Sequence, residues 1–185
     1  MKRILIMGIG GAGMNIAPHV KDMLNSKARM IAVNTDKLCL NNSDYTEKLL
    51  LSSEMKNLNL YIKDAISSSD GELTEILKNE EILVLIAGLG GITGTEAIYH
   101  IATLAISMGI TVIVAVTLPF VFEGDRRHIA LDMLSQLKAL NCLSVLYHDN
   151  EIDIKDSKHE SLSNVFKQTS IKIAAEVRGA INNQI

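Results

Sequence analysis

The chain has 185 residues, 48% of them hydrophobic, and no Trp, which fits a single domain spanning 1–185 with an aliphatic core. A formal net charge of -3 provides no electrostatic drive toward nucleic acid or an anionic membrane. Two cysteines, Cys39 and Cys142, supply neither a disulfide framework nor metal-ligand spacing, and a cytoplasmic protein is expected.

Lys2 and Arg3 precede an apolar run that meets glycines within a few residues. That is too short for a signal peptide and reads as a buried first strand over 3–7. A helix is expected over 13–24, a strand over 29–33, a short edge strand over 48–51 and helical stretches across 58–78. A continuous apolar strand follows over 82–87. Residues 97–122 carry no charge apart from a potential one on His100, and their length alone would cross a membrane. Gly109 divides them, however, into a helix-forming half (95–107) and a β-branched half (111–116), so a buried helix and a buried strand are expected, with no membrane span. A helix over 126–140, a strand over 143–147, a polar loop over 151–160 and a long helix over 162–182 complete the chain. Apolar strands alternating with helices predict a doubly wound α/β domain with a mainly parallel sheet covered on both faces. Its ligands would sit beyond the carboxyl ends of the strands.

Unusual residues gather at that edge. Gly8-Ile9-Gly10-Gly11-Ala12-Gly13 joins a strand to a helix, where missing side chains let backbone N–H groups approach a phosphate. With Asp36 at the distance of a ribose-binding acid, it also spells a dinucleotide fingerprint, and alone it leaves NAD binding and a plain tight turn evenly balanced. Gly88-Leu89-Gly90-Gly91-Ile92-Thr93-Gly94-Thr95 is a second glycine loop in the same setting. Two such loops would cradle a polyphosphate from both sides, whereas a dinucleotide fold needs one. The third piece is Pro119-Phe120-Val121-Phe122-Glu123-Gly124-Asp125-Arg126-Arg127, whose acid and base would suit a ribose and a phosphate.

In order and spacing these segments resemble the FtsZ/tubulin superfamily. Gly10–Asn15 is similar to the FtsZ phosphate loop, Asn34-Thr35-Asp36 to its next loop, and Gly90–Glu96 to the tubulin-family GGGTGTG motif. The PFxFEGxxR element is complete from Pro119 to Arg127, and Phe166 and Gly179 match the central helix. The resemblance implies a Rossmann-like GTPase-domain fold ending in a long central-type helix. It also implies GTP or GDP as ligand, with Mg only alongside bound nucleotide. Glu123 would bind ribose and Arg127 would lie near ribose and phosphate. Gly11, Ala12, Gly13, Met14, Asn15, Gly91, Thr93 and Gly94 would surround the phosphates and part of the nucleoside. Gly10, Asp36, Gly90 and Thr95 belong to the same loops, and Phe166 and Ser170 would meet the base. No residue is assigned a catalytic or metal-binding role.

Several positions depart from the family pattern. Ile92 and Glu96 replace two glycines of the tubulin motif. Glu96 would repel a triphosphate or, with Thr93, close a capping box over the helix's own N–H groups; a Glu that simply faces solvent in the first turn fits the sequence equally well. The glycine-rich third phosphate loop is replaced by Ser52-Ser53-Glu54-Met55-Lys56-Asn57. Ser170 stands where the family reads guanine, and His148, expected on the surface, stands at the family's Asn after the sixth strand. The chain stops at Ile185, ahead of the family's catalytic loop and second domain, and the last helix has one apolar stripe, as a one-domain protein would. The leading expectation is a degenerate, non-hydrolysing module that interacts with full-length FtsZ and modulates the bacterial division filament. The alternatives are a slow GTPase active as a homo-oligomer, and a domain with an empty site used only for interaction.

Overall fold

The computed structural model describes residues 2–24, 28–51, 58–150 and 161–183, with side chains omitted for 58–62. Six strands form one sheet: β1 (Ile4–Ile9), β2 (Arg29–Asn34), β3 (Glu47–Leu50), β4 (Ile82–Gly88), β5 (Thr111–Leu118) and β6 (Ser144–Asp149). Their order is β3-β2-β1-β4-β5-β6 and every pairing is parallel. The helices are α1 (Gly10–Met23), α2 (Lys37–Asn41), α3 (Leu58–Ser68), α4 (Asp70–Leu77), α5 (Ile92–Ser107), α6 (Asp125–Ala139) and α7 (Leu162–Asn182). The doubly wound parallel sheet and the long last helix are as expected.

Alternation along the strands builds two cores. Leu5, Met7 and Ile9 join Leu83 and Leu85 beneath α5 on one face; Ile6, Val84 and Ile86 lie beneath α1 and α7 on the other. Central strands buried on both faces cannot alternate in polarity, which is why β4 reads as an unbroken apolar run. Ala97, Ala102 and Ala105 are fully buried and let α5 lie close on the sheet. Among the described residues no helix is long and apolar enough to cross a membrane. On α7, Val165, Thr169, Ile173, Val177 and Ile181 of the predicted stripe are buried, together with Ala174, while Leu162 and Phe166 at its start are exposed.

Two helices begin three residues earlier than expected. α1 starts at Gly10 and α5 at Ile92. Low glycine propensity argues for a start after each glycine loop. Here packing decides instead, because the glycines are what bring these first turns down onto the strands.

At the opposite edge of the sheet, Arg29 joins three elements. Its guanidinium donates to Glu47 (3.2 and 2.6 Å) and to Glu80 (2.7 Å), whose side chain is only 6% exposed. The Arg29 hydrogen bond holds the Glu47 carboxyl below its ordinary range. A depressed folded-state pKa stabilises above the unfolded carboxylate value, and that contribution is lost as pH falls through the folded value. Glu47→Gln is therefore expected to melt lower than the parent at pH 7 and to lose less on acidification. Melting curves at pH 7 and pH 3 check this; equal losses by both proteins would contradict it.

Candidate functional site

The strand order reverses between β1 and β4, which send their following helices to opposite faces. This is the switch point where open α/β sheets hold ligands. Ile9 and Ala87 are paired at that edge, so α1 and α5 spring from neighbouring positions. Gly10 takes a left-handed φ of 66°, and a Cβ there would lie 3.6 Å from the Gly94 nitrogen, so the two helix N-termini face each other closely. Neither first turn contains an acidic residue. Both therefore present free N–H groups and the positive end of a helix dipole to one place.

The glycines divide into two kinds. A Cβ on Gly13 would lie 2.1 Å from the Ile86 carbonyl oxygen, and one on Gly94 would lie 2.7 Å from that of Gly88. These two seat the helices against β4. Gly90, at φ 84°, needs its left-handed turn and has the Arg126 carbonyl oxygen 2.6 Å from its would-be Cβ. Gly11 differs, having nothing within 4 Å of a Cβ and so facing open space.

That space is a cavity of about 290 Å³ lined by Gly10, Gly11, Ala12, Asn34, Gly91, Ile92, Thr93, Gly94, Thr117, Glu123, Arg126 and Asn150, among others. A second cavity of about 350 Å³ shares Ala12, Thr117 and Asn150 and adds Asn15, Ile16, Phe166, Thr169 and Ser170. Together they fall within the usual size of small-ligand sites, polar at the glycine end and aromatic at the other. The Gly11 backbone borders the cavity with no side chain in the way, which is the condition a phosphate needs to approach it.

On the rim, Glu123 accepts from the Phe120 N–H (2.9 Å) and from Arg126 Nη1 (2.6 Å). Arg126 Nε also donates to the Gly90 carbonyl at 3.2 Å, which ties the third motif to the second. Arg127 turns elsewhere. Its Nη1 and Nη2 donate to Asp149 at 3.0 and 2.6 Å, and Nη1 also donates to the Pro119 carbonyl. This pair precedes Asn150, at the seam of the two cavities.

Of the predicted site residues, Gly10, Gly11, Ala12, Gly91, Thr93, Gly94 and Glu123 line the first cavity, and Ala12, Asn15, Phe166 and Ser170 the second. The others line neither cavity. Gly13 packs on β4, and Gly90 forms the turn. The Thr95 hydroxyl accepts from the Gly90 N–H at 2.9 Å. Met14 is buried, its carbonyl accepting from Tyr45 Oη at 2.8 Å, and burial pushes the Tyr45 phenol pKa up. The Asp36 carboxylate caps α2, accepting from the N–H groups of Leu38 and Cys39 at 2.8 and 3.1 Å.

Three sequence expectations change. The capping box of Thr93 and Glu96 does not form, because α5 already starts at Ile92, with Gly91 as its N-cap and no side-chain capping bond. Glu96 lines neither cavity but borders a neighbouring hollow with Lys63 and Ile129, reached past Gly91 and Ile92, which also line the first cavity. His148 is 12% exposed and paired with Glu176 at 3.2 Å; the cavity is lined instead by Asn150. Residues 52–57, which replace the third loop, lie outside the described residues. Asn34 and Arg126 lie within recognised motifs but were given no place in the site, and Thr117 and Asn150, which also line the cavity, lie in no motif. A polar side chain closing an apolar strand was the available signal for Asn34 and Thr117. Thr35 and Thr93 add a hydroxyl pair at 2.7 Å across the β2 loop and α5.

A parallel doubly wound sheet with two glycine loops converging at its switch point defines a Rossmann-like α/β domain. The family model "Tubulin/FtsZ family, GTPase domain" matches residues 3–156, and the chain belongs to that family. It is 34% identical over 182 residues to Cell division protein FtsZ 1 of Pyrococcus furiosus, which covers 95% of this chain and 47% of that protein. Against Cell division protein FtsZ of Aquifex aeolicus it is 28% identical over 184 residues, 96% of this chain and 50% of that protein. Among solved structures, an empty FtsZ dimer from M. jannaschii superposes with a TM-score of 0.82 at 26% identity, over 97% of this chain and 54% of that one. The chain thus spans about half the length of the relatives it matches.

Proposed function

We propose that this chain is a guanine-nucleotide-binding module that interacts with, and modulates, an FtsZ-type division filament without hydrolysing nucleotide by itself. The observation carrying the reading is the convergence of two glycine loops, and of two helix N-termini without first-turn acids, on a cavity that shares Ala12, Thr117 and Asn150 with an aromatic pocket. Such a site suits a polyphosphate joined to a base. Ile92 does not fill it: the side chain is 51% exposed at the rim. Mg would enter with the triphosphate.

A hydrolase needs a base within reach of its water. Among the described residues Glu123 is the one carboxylate lining the phosphate cavity, and both its oxygens accept hydrogen bonds, from Phe120 and from Arg126. The reading therefore assigns the attacking water's base to a partner. Val121 and Phe122, 57% and 82% exposed beside that rim, would form the apolar part of the contact with a filament subunit.

Calorimetry with GTP and GDP, phosphate release at high protein concentration, and sedimentation of full-length FtsZ with and without the chain test the proposal together. Saturable binding, release no faster than in buffer and a changed polymer mass are expected. Absence of binding to both nucleotides would sink it; release abolished by Arg126→Ala would favour the slow-GTPase alternative.

A further inference from the structure

Resting on the nucleotide reading, we infer that Tyr45 is a positioning residue for the phosphate-binding turn: its phenol replaces the helix hydrogen bond that Pro18 removes from α1, and so fixes the direction of the helix's first turns.

Pro18 lies in the interior of α1. A proline has no N–H to offer the carbonyl four residues earlier, and its ring crowds that carbonyl, so helices kink or pivot there. The carbonyl concerned belongs to Met14, a residue only 6% exposed. A buried acceptor that loses its donor is costly, and native proteins satisfy nearly all of them. Here the replacement comes from outside the helix. Tyr45, 8% exposed in the α2–β3 connection, donates its hydroxyl proton to the Met14 carbonyl at 2.8 Å. Burial pushes the phenol pKa up, so the group keeps the proton it donates.

Gly8 makes room for this contact. A Cβ there would lie 2.9 Å from Tyr45 Oη, 2.9 Å from the Gly13 carbonyl oxygen and 3.0 Å from the Met14 Cα. The hydroxyl is therefore lodged between the end of β1 and the first turns of α1. On the same side of the helix lies a cavity of about 630 Å³, lined by Gly11, Met14, Pro18 and Tyr45 among others. Gly11 lines the phosphate cavity as well. The segment ahead of the proline thus carries the N–H groups offered to a phosphate, and the phenol ties that segment to the α2–β3 connection. Donors held in place before the ligand arrives bind it more tightly, because less ordering is needed on binding.

The test compares the wild type with Tyr45→Phe, Pro18→Ala and the double variant, by GTP calorimetry and by amide hydrogen exchange over 14–17 without ligand. Tyr45→Phe should weaken GTP by about tenfold and speed exchange over 14–17. Pro18→Ala should bind like the wild type, since a carbonyl has two lone pairs and can accept from both donors. The double variant should regain wild-type affinity and protection, because the N–H restored at position 18 takes the place of the phenol. If Tyr45→Phe melts lower yet binds GTP as tightly as the wild type, Tyr45 is merely structural and the inference is overturned. A loss of affinity that Pro18→Ala does not rescue overturns it too. Either result leaves the nucleotide reading standing, whereas a wild type that does not bind GTP overturns both. Where Tyr45→Phe does not fold, the double variant decides: wild-type affinity supports the inference and weakened binding overturns it.

Discussion

Gly13→Ala should cost the protein its stable fold, whereas Gly11→Ala, two residues earlier on the same helix turn, should keep the fold and lose the nucleotide. At Gly13 the new Cβ would lie 2.1 Å from the Ile86 carbonyl oxygen, 2.9 Å from its carbon and 3.2 Å from the Ala87 Cα. All three atoms are backbone of β4, a strand paired on both sides by β1 and β5. Nor is α1 free to lift, because α7 packs across it and Tyr45 Oη holds the Met14 carbonyl. Overpacking against yielding side chains costs about 1–3 kcal/mol. Against an immovable backbone the cost should be at least ~3 kcal/mol, a large share of a total stability of about 5–15 kcal/mol. Thermal melting should fall by roughly 6–12 °C or the protein should not accumulate folded. At Gly11 nothing lies within 4 Å of a Cβ, so an alanine meets no clash. Its methyl would stand where a phosphate approaches. Losing a hydrogen bond to a charged group costs about 1.5–3 kcal/mol, or roughly 10–150-fold in affinity. Melting curves and GTP titrations of both variants separate the two roles. A Gly13→Ala protein that melts with the parent, or a Gly11→Ala protein that binds like it, would refute the division.

The same division explains what was legible beforehand. Strands buried on both faces announce themselves as apolar runs, and the alternation with helices leaves little choice of architecture. The starts of α1 and α5 were misplaced because glycine's low propensity is a local property, while Gly13 and Gly94 are helical for a tertiary reason. The motifs located the site but did not sort its residues. Gly11 and Gly13 look alike in sequence, yet one borders the cavity and the other a strand. Thr95 and Asp36 have polar side chains in the right loops, and both are spent on backbone N–H groups. Asn150 and Thr117 reach the cavity because β5 and β6 end in register beside β4. Register is a relation between strands that no single segment encodes.

Adjacent arginines give the sharpest case, and the last prediction. Arg126 and Arg127 sit side by side at the start of α6, pointing about 100° apart around the helix. Arg127 and Asp149 have side chains only 18% and 13% exposed and share two hydrogen bonds. Breaking a buried pair by removing one partner costs about 3–5 kcal/mol, less where some solvent remains, so Arg127→Ala should destabilise by ~2–4 kcal/mol. Arg126 has a side chain 57% exposed, and its pair with Glu123 should contribute only about 0–1 kcal/mol. Arg126→Ala should melt close to the parent yet weaken GTP by roughly tenfold or more, because a cation on the cavity wall is lost. Replacing both members of the buried pair, as Arg127→Met with Asp149→Leu, should recover much of the stability that Arg127→Ala loses, since no charge is then left without its bidentate partner. Denaturant titration and calorimetry on these three variants read the two roles independently. If Arg127→Ala instead kept its stability and lost GTP, Arg127 would be a direct ligand of the nucleotide and its pairing with Asp149 would have to open on binding.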